Sequence, residues 1–319
     1  MRSQAGTPPL SSPLSAPLSA PPSLGSEALT VTGAELLEWR RRLLARGGAA
    51  ADLDWLLDLG GGLRWSQLQS LWCHPQATVR LDRPLQALEA LWRRHRHTHE
   101  PLQYLVGRCP WRDLELPVAP GVLIPRQETE LLVDLALELR RPGPPIACWA
   151  DLGTGSGCLA IALARCLPTS RGFAVETSAE ALAQAGANLA RWDLQRQVTL
   201  LAGDWWQPLQ PWWGGLDLVV SNPPYIPSAT LAGLEPVVRD HEPRQALDGG
   251  PDGLTALRPI VAGALQALAP GGLLLLEHHH DQSEAVGELL RAAGLERPGV
   301  HADLEGQARF ASAWRPGAR

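Results

Sequence analysis

Residues 146–157 read IACWADLGTGSG, an apolar run that ends in three glycines spaced one residue apart. The run from Ile146 to Leu152, apolar except for Asp151 and without polar alternation, reads as a strand buried on both faces. Gly153, Gly155 and Gly157 then allow a tight turn and close backbone approach to a ligand. The apolar helix that follows presents unpaired N–H groups at its start. A strand, a glycine turn and a helix in this order are the unit from which open parallel α/β sheets are built.

The same alternation continues outward. Helices are expected over Glu128 to Leu139 and Ser178 to Ala190. Strands are expected over Gly172 to Glu176, Val198 to Leu201, Leu216 to Val220 and Leu273 to Glu277, with a β-like stretch near Phe310 to Trp314. The fold class is therefore α/β, a mostly parallel sheet with helices on both faces and ligands at the carboxyl ends of its strands. Upstream, from Ala34 to about Glu100, apolar residues recur at helical spacing (Leu36, Leu37, Trp39, Leu43, Leu44; Leu85, Leu88, Leu91, Trp92) and imply a small helical bundle. Tyr104 to Ile124 switches to short β-like pieces around Gly107, Pro110 and Pro120-Gly121, a hairpin between two domains. The expected division is a tail over 1–27, a helical domain over 28–100, a hairpin linker over 101–124 and an α/β domain over 125–319.

Composition sets the outer limits. A chain of 319 residues with 45% hydrophobic content can bury a sizeable core, which excludes disorder throughout. Net charge is −5, from 28 Lys+Arg against 33 Asp+Glu, so no global charge holds nucleic acid, although a local basic patch stays open. The chain has no lysine, one Met and 13 Trp, a bias best ascribed to genomic base composition. Five cysteines, Cys73, Cys109, Cys148, Cys158 and Cys166, form no CxxC pair, which argues for reduced thiols in a cytoplasmic protein rather than disulfides or zinc. The Ser/Pro/Leu-rich start (TPPLSSPLSAPLSAPPS) lacks the layout of a signal peptide and reads as a disordered tail. No segment approaches the roughly 20 apolar residues of a membrane span.

Asp151 to Gly157 points to a cofactor. Glu176 ends the next strand, where a carboxylate can accept hydrogen bonds from both hydroxyls of a ribose, and Asp204 ends the strand after it. The dinucleotide fingerprint wants GxGxxG, whereas here the third glycine comes one residue early. Asp151 also places a carboxylate where it would repel a pyrophosphate. A cationic sulfonium with an α-amino group tolerates that acid, so S-adenosylmethionine is preferred to NAD. Asp151, Gly153, Thr154, Gly155, Gly157, Glu176 and Asp204 are the candidate cofactor contacts.

A second motif lies at the next strand end: LVVSNPPYIP, residues 218–227. Two prolines stop the strand and stiffen its exit, since neither donates an N–H and each fixes φ near −65°. A planar –NH2 group is a poor nucleophile because its lone pair is conjugated. The side-chain oxygen of Asn222 and the carbonyl of Pro223 can each take one of its N–H groups, aiming the nitrogen at a methyl group. Those bonds strengthen as the nitrogen becomes positive, and Tyr225 can lie against the planar target. The rivals are an amino methyltransferase acting on N6 of adenine or N2 of guanine, and a catalytically silent adaptor. A base-acting enzyme wants a basic face, and an adaptor would have lost Asn222 or the glycine loop.

With these motifs stand Glu100 to Gly107 (EPLQYLVG), Ile124 to Glu130 (IPRQETE), His241 to Arg244 (HEPR) and Ala246 to Leu254 (ALDGGPDGL). In this order, from about Ala34 to the end, the chain resembles release factor glutamine methyltransferases of the PrmC (HemK) type. The resemblance implies a Rossmann-like S-adenosylmethionine-dependent domain preceded by a helical substrate-recognition domain and a hairpin. It implies methylation of the glutamine side-chain nitrogen in the GGQ motif of class 1 peptide chain release factors, supporting translation termination. By the same resemblance Asn222, Pro223, Pro224 and Tyr225 grip the glutamine amide, with Asn222 also bordering the cofactor. Pro125 to Glu130 helps shape the pocket, and Glu176, Asp204 and Trp205 contact ribose and adenine.

Arg126 is either a substrate or phosphate contact or a structural arginine paired to a carboxylate. A monomer without a stable nucleic-acid or membrane partner and without a metal is expected. Glu277-His278-His279-His280 departs from the family pattern, which has a glycine at about position 279. In an extended run only His278 and His280 would share a side, and a solvated loop or local packing is the expected role. Arg93 to His97 reads as the solvated end of a helix.

Overall fold

The computed structural model describes residues 29–141 and 143–317, so the tail expected over 1–27 lies outside the described residues. The strands, in chain order, are β1 (Thr30–Thr32), β2 (Thr78–Arg80), β3 (Arg108–Trp111), β4 (Leu114–Pro117), β5 (Cys148–Leu152), β6 (Arg171–Glu176), β7 (Val198–Ala202), β8 (Leu216–Ser221), β9 (Leu268–Glu277), β10 (Glu296–Ala302) and β11 (Ala308–Trp314).

The first four helices are Gly33–Leu44, Ala50–Gly61, Trp65–Leu71 and Leu85–Thr98. Thr32 caps the first through a reciprocal pair: Glu35 N donates to Thr32 Oγ1 at 3.2 Å and Thr32 N to Glu35 Oε2 at 2.7 Å. Leu36, Leu53, Leu56, Leu57, Leu88 and Trp92 bury themselves in one core separate from that of the sheet. The antiparallel pair β1–β2 closes this bundle, an element that three-residue strands are too short to announce. The expected hairpin is β3–β4, and Trp111 Nε1 ties it to the next loop by donating to Arg126 O at 2.7 Å.

The large sheet has seven strands in the order β10-β11-β9-β8-β5-β6-β7. Pairs from β9 through to β7 are parallel, while β11 is antiparallel to both β9 and β10. Side chains alternate between two cores. Trp149, Leu218 and Val220 face the helices Glu130–Arg140, Cys158–Cys166 and Ala179–Arg191. Ala150, Val219 and Leu274 face Leu257–Ala267 and Ser283–Ala292. The strand β10 was not anticipated, because Pro298 and Gly299 break its pattern and its register with β11 shifts beside them. Gly172 on β6 sits against Trp149; a Cβ there would lie 2.2 Å from the indole.

Candidate active site

The chain runs from β5 to β6 and β7 on one side of the sheet, then crosses back to β8 on the other side of β5. That reversal opens a crevice at the carboxyl ends of the strands. Leu152 pairs with Ser221, so the glycine loop and the Asn222 loop leave the sheet side by side. Between them lies a cavity of about 330 Å³, whose walls include Gly153, Gly155, Glu176, Asp204, Trp205, Asn222 and Pro224.

The cofactor wall is mostly backbone. Gly153, Gly155 and Gly157 have φ of 73°, 57° and 84°, a region closed to most side chains. A Cβ on Gly155 would meet nothing within 4 Å, so this face is open to a ligand. Gly153 N and Thr154 N each donate to Val175 O at 2.9 Å, and Gly155 N donates to Glu176 Oε2 at 2.9 Å. The other oxygen of Glu176 accepts from Thr177 N at 2.8 Å and Ser178 N at 2.9 Å. Asp151 is buried beneath the loop; Thr154 Oγ1 donates to its Oδ2 at 2.6 Å, and Oδ1 has no protein partner. Burial pushes this carboxyl up to about 7. Trp205, held at φ 41°, lays its ring beside Gly153, and Asp204 next to it is exposed. Open glycine backbone, two acids on adjacent strand ends, a flat indole and a buried oxygen without a donor fit an adenosyl group that carries a cation.

The opposite wall is built of side chains. Asn222 Nδ2 donates to Thr129 Oγ1 at 2.9 Å, which leaves Oδ1 as the free end of the amide. Thr129 Oγ1 in turn donates to Glu277 Oε2 at 2.7 Å, and Tyr225 Oη donates to Glu277 Oε1 at 3.0 Å. Burial pushes the Glu277 carboxyl up to about 7 against the opposing pull of these two hydrogen bonds. Pro223 is buried behind Asn222. The ALDGGPDGL stretch braces the loop from outside. Ile226 N donates to Leu247 O at 3.0 Å and Gly249 N to Ile226 O at 2.8 Å. A Cβ on Gly253 would lie 2.3 Å from Tyr225 O, so this close approach requires glycine.

Asp151, Thr154, Gly157, Pro223 and Tyr225 are not among the residues that line this cavity. Arg126 is not on the wall either. Its Nη2 donates to Glu242 Oε1 at 2.7 Å and its Nη1 to Ile124 O at 3.1 Å, which ties IPRQETE to HEPR. The histidine run does not alternate as an extended strand would. β9 ends at Glu277, His278 is fully buried with Nε2 unpartnered, and His280 is exposed, so those two share no side. His279 Nδ1 lies 2.6 Å from Asp281 Oδ1. Arg93 and His97 are exposed near the end of their helix, and Arg94 pairs with Glu100. The contacts of Thr129 and Glu277 were missed by sequence reasoning, since 93 residues separate Thr129 from Asn222 and 148 separate it from Glu277.

Residues 130–232 match the Methyltransferase small domain family. A release factor glutamine methyltransferase of Prochlorococcus marinus is 52% identical over 283 residues, covering 88% of this chain and 97% of that protein. One of Gloeobacter violaceus is 48% identical over 258 residues, covering 79% of this chain and 87% of that protein. Among solved structures, the hMettl16 catalytic domain bound to a 3'UTR hairpin is similar in fold, with a TM-score of 0.51 and 17% identity over 63% of this chain and 74% of that one.

Proposed function

This chain belongs to the release factor glutamine methyltransferases, and from that premise we propose that Asn222 and Pro223 hold the side-chain amide of the GGQ glutamine of a class 1 release factor while its nitrogen is methylated. The observation that carries the reading is the pairing of Leu152 with Ser221, which opens the glycine loop and the Asn222 loop onto one cavity. S-adenosylmethionine supplies an electrophilic methyl group there.

Asn222 Oδ1 and the Pro223 carbonyl accept the two amide N–H groups and turn the nitrogen toward the donor. As the new bond forms, the nitrogen gains positive charge and its N–H groups become stronger donors. Both bonds therefore tighten most in the transition state, which is where binding accelerates a reaction. Tyr225 offers a ring face to the planar, increasingly positive amide. Glu176, Asp204 and Trp205 receive the ribose and adenine.

The helical region 28–100, with its own core, serves as the substrate-recognition domain, 101–124 as linker and 125–319 as the methyltransferase domain. All five cysteines are free thiols and the net charge is −5, in keeping with a cytoplasmic monomer that forms no stable complex with nucleic acid. No helix among the described residues is long and apolar enough to cross a membrane.

The test is transfer of labelled methyl to a release factor, to its GGQ-to-GGA variant, and to DNA and RNA in parallel. Label on the wild-type factor alone is expected. Label on nucleic acid, with none on the factor, would overturn the substrate.

A further inference from the structure

We propose that Thr129 and Glu277 are positioning residues that fix which end of the Asn222 amide faces the acceptor, an inference that rests on the reading of Asn222 above. The two ends of an asparagine amide are nearly equal in shape and opposite in hydrogen bonding. Only the oxygen can accept from a substrate –NH2; the reversed amide would set donor against donor.

Asn222 Nδ2 meets Thr129 Oγ1 at 2.9 Å. A hydroxyl can donate or accept, so Thr129 alone does not choose between the two orientations. Glu277 makes the choice. Its Oε2 lies 2.7 Å from Thr129 Oγ1, and an ionised carboxylate only accepts. The Thr129 proton is thereby committed to Glu277, and only lone pairs remain for Asn222. The amide must then present Nδ2 to Thr129 and Oδ1 to the cavity. The second carboxylate oxygen accepts from Tyr225 Oη at 3.0 Å, so one group orders both ends of the segment 222–225. Thr129 is 2% and Glu277 1% exposed, so no bulk water competes for these bonds. A carboxylate is costly to bury, and this one has no arginine or histidine among its hydrogen-bond partners in the described residues.

The direction of the relay depends on charge. The groups facing Glu277 are Thr129 and Glu128 from the loop before helix Glu130–Arg140, Tyr225 from the loop after β8, and Arg309 from β11. Once protonated, Glu277 becomes a donor to Thr129, and the hydroxyl can turn its proton to Asn222 Oδ1. The amide then reverses. Burial raises this carboxyl to about 7, so activity falls on the acid side of neutrality through Glu277.

The experiment compares full-length Thr129→Val, Thr129→Ser and Glu277→Gln with wild type and Asn222→Ala. It records kcat and KM with a release factor, affinity for S-adenosylmethionine by calorimetry, and kcat against pH. Thr129→Val, which keeps shape and loses the hydroxyl, is expected to lower kcat about 10- to 100-fold with cofactor affinity within about twofold. Thr129→Ser is expected to retain activity within about threefold. Glu277→Gln is expected to lower kcat and to remove the acid limb. Wild-type kcat in Thr129→Val, while Asn222→Ala is inactive, overturns the proposal alone; full activity in Asn222→Ala overturns the reading beneath it. Should Thr129→Val not fold, an unchanged kcat and pH profile in Glu277→Gln overturns it.

Discussion

The two loops that bound the cavity solve opposite problems by opposite means. Gly153 to Gly157 is shaped by backbone: three positive φ angles and hydrogen bonds to the end of β6. Asn222 to Tyr225 is shaped by side chains from distant parts of the chain, Thr129 on one side and Glu277 on the other. A cofactor common to many enzymes needs bare backbone and an acid or two. Orienting one amide nitrogen requires that each donor and acceptor be told which way to point. The first wall should therefore govern cofactor affinity, and the second turnover.

The largest expected effect tests the second half of that contrast. Asn222→Ala should lower kcat about 10²- to 10³-fold, the usual cost of removing one transition-state hydrogen-bond partner, with cofactor affinity nearly unchanged. An equal loss in cofactor affinity, measured by calorimetry, would erase the division between the walls. Arg126→Ala comes next. It leaves Glu242, whose side chain is 2% exposed, without its cation, so urea unfolding should show a loss of about 2–3 kcal/mol with little change in KM for the release factor. A large rise in KM at unchanged stability would instead make Arg126 a substrate contact.

On the backbone wall, Gly153→Val places a β-branched residue at φ 73°, with its Cβ 3.2 Å from Trp205. The strain of roughly 1–2 kcal/mol should weaken cofactor binding about tenfold or more while kcat at saturation survives. The last expected effect is read in stability against pH and concerns Asp151, whose carboxyl is raised from an ordinary 3.8 to about 7 by burial. Between those values the folded state holds a proton that the unfolded state has lost, so stability falls as pH rises through the window and levels off above it. Asp151→Asn removes that dependence. Thermal unfolding should show it gaining on wild type by roughly 4 kcal/mol between pH 4 and pH 8. A constant difference across that range would mean Asp151 ionises as freely when folded as when unfolded.

The same contrast explains what could be read in the sequence. The strand, glycine loop and helix over 146–166 were legible because their determinants are local: apolar runs, glycine spacing and an acid at the next strand end. NPPY was legible as a stiff strand exit with a side-chain acceptor. The partners of Asn222 were not, since no period or spacing links residues 129, 222 and 277; only the sheet order brings them together. Arg126 left two readings open because an arginine's partner is a tertiary fact, and Glu242 lies 116 residues away. In the histidine run the extended pattern fails because β9 stops at Glu277 and the chain turns. Strands β1, β2 and β10 escaped notice because they are short or interrupted by Pro and Gly.

The position of β11 bears on how this protein is made. It lies between β9 and β10 yet follows both in the chain, and Phe310 pairs with Glu277. While the chain is being synthesised, β9 has β8 on one flank and an open edge on the other until residues 308–314 have left the ribosome. Glu277, the end of that edge, stays wet for as long. The glycine loop, Glu176, Asp204 and Trp205 are all synthesised before Asn222 and Glu277, although Asn222, Pro224 and Thr255 also line the cavity they face. Most of the residues assigned to the methyl donor thus leave the ribosome before those assigned to the acceptor, and the cavity they share closes only after both.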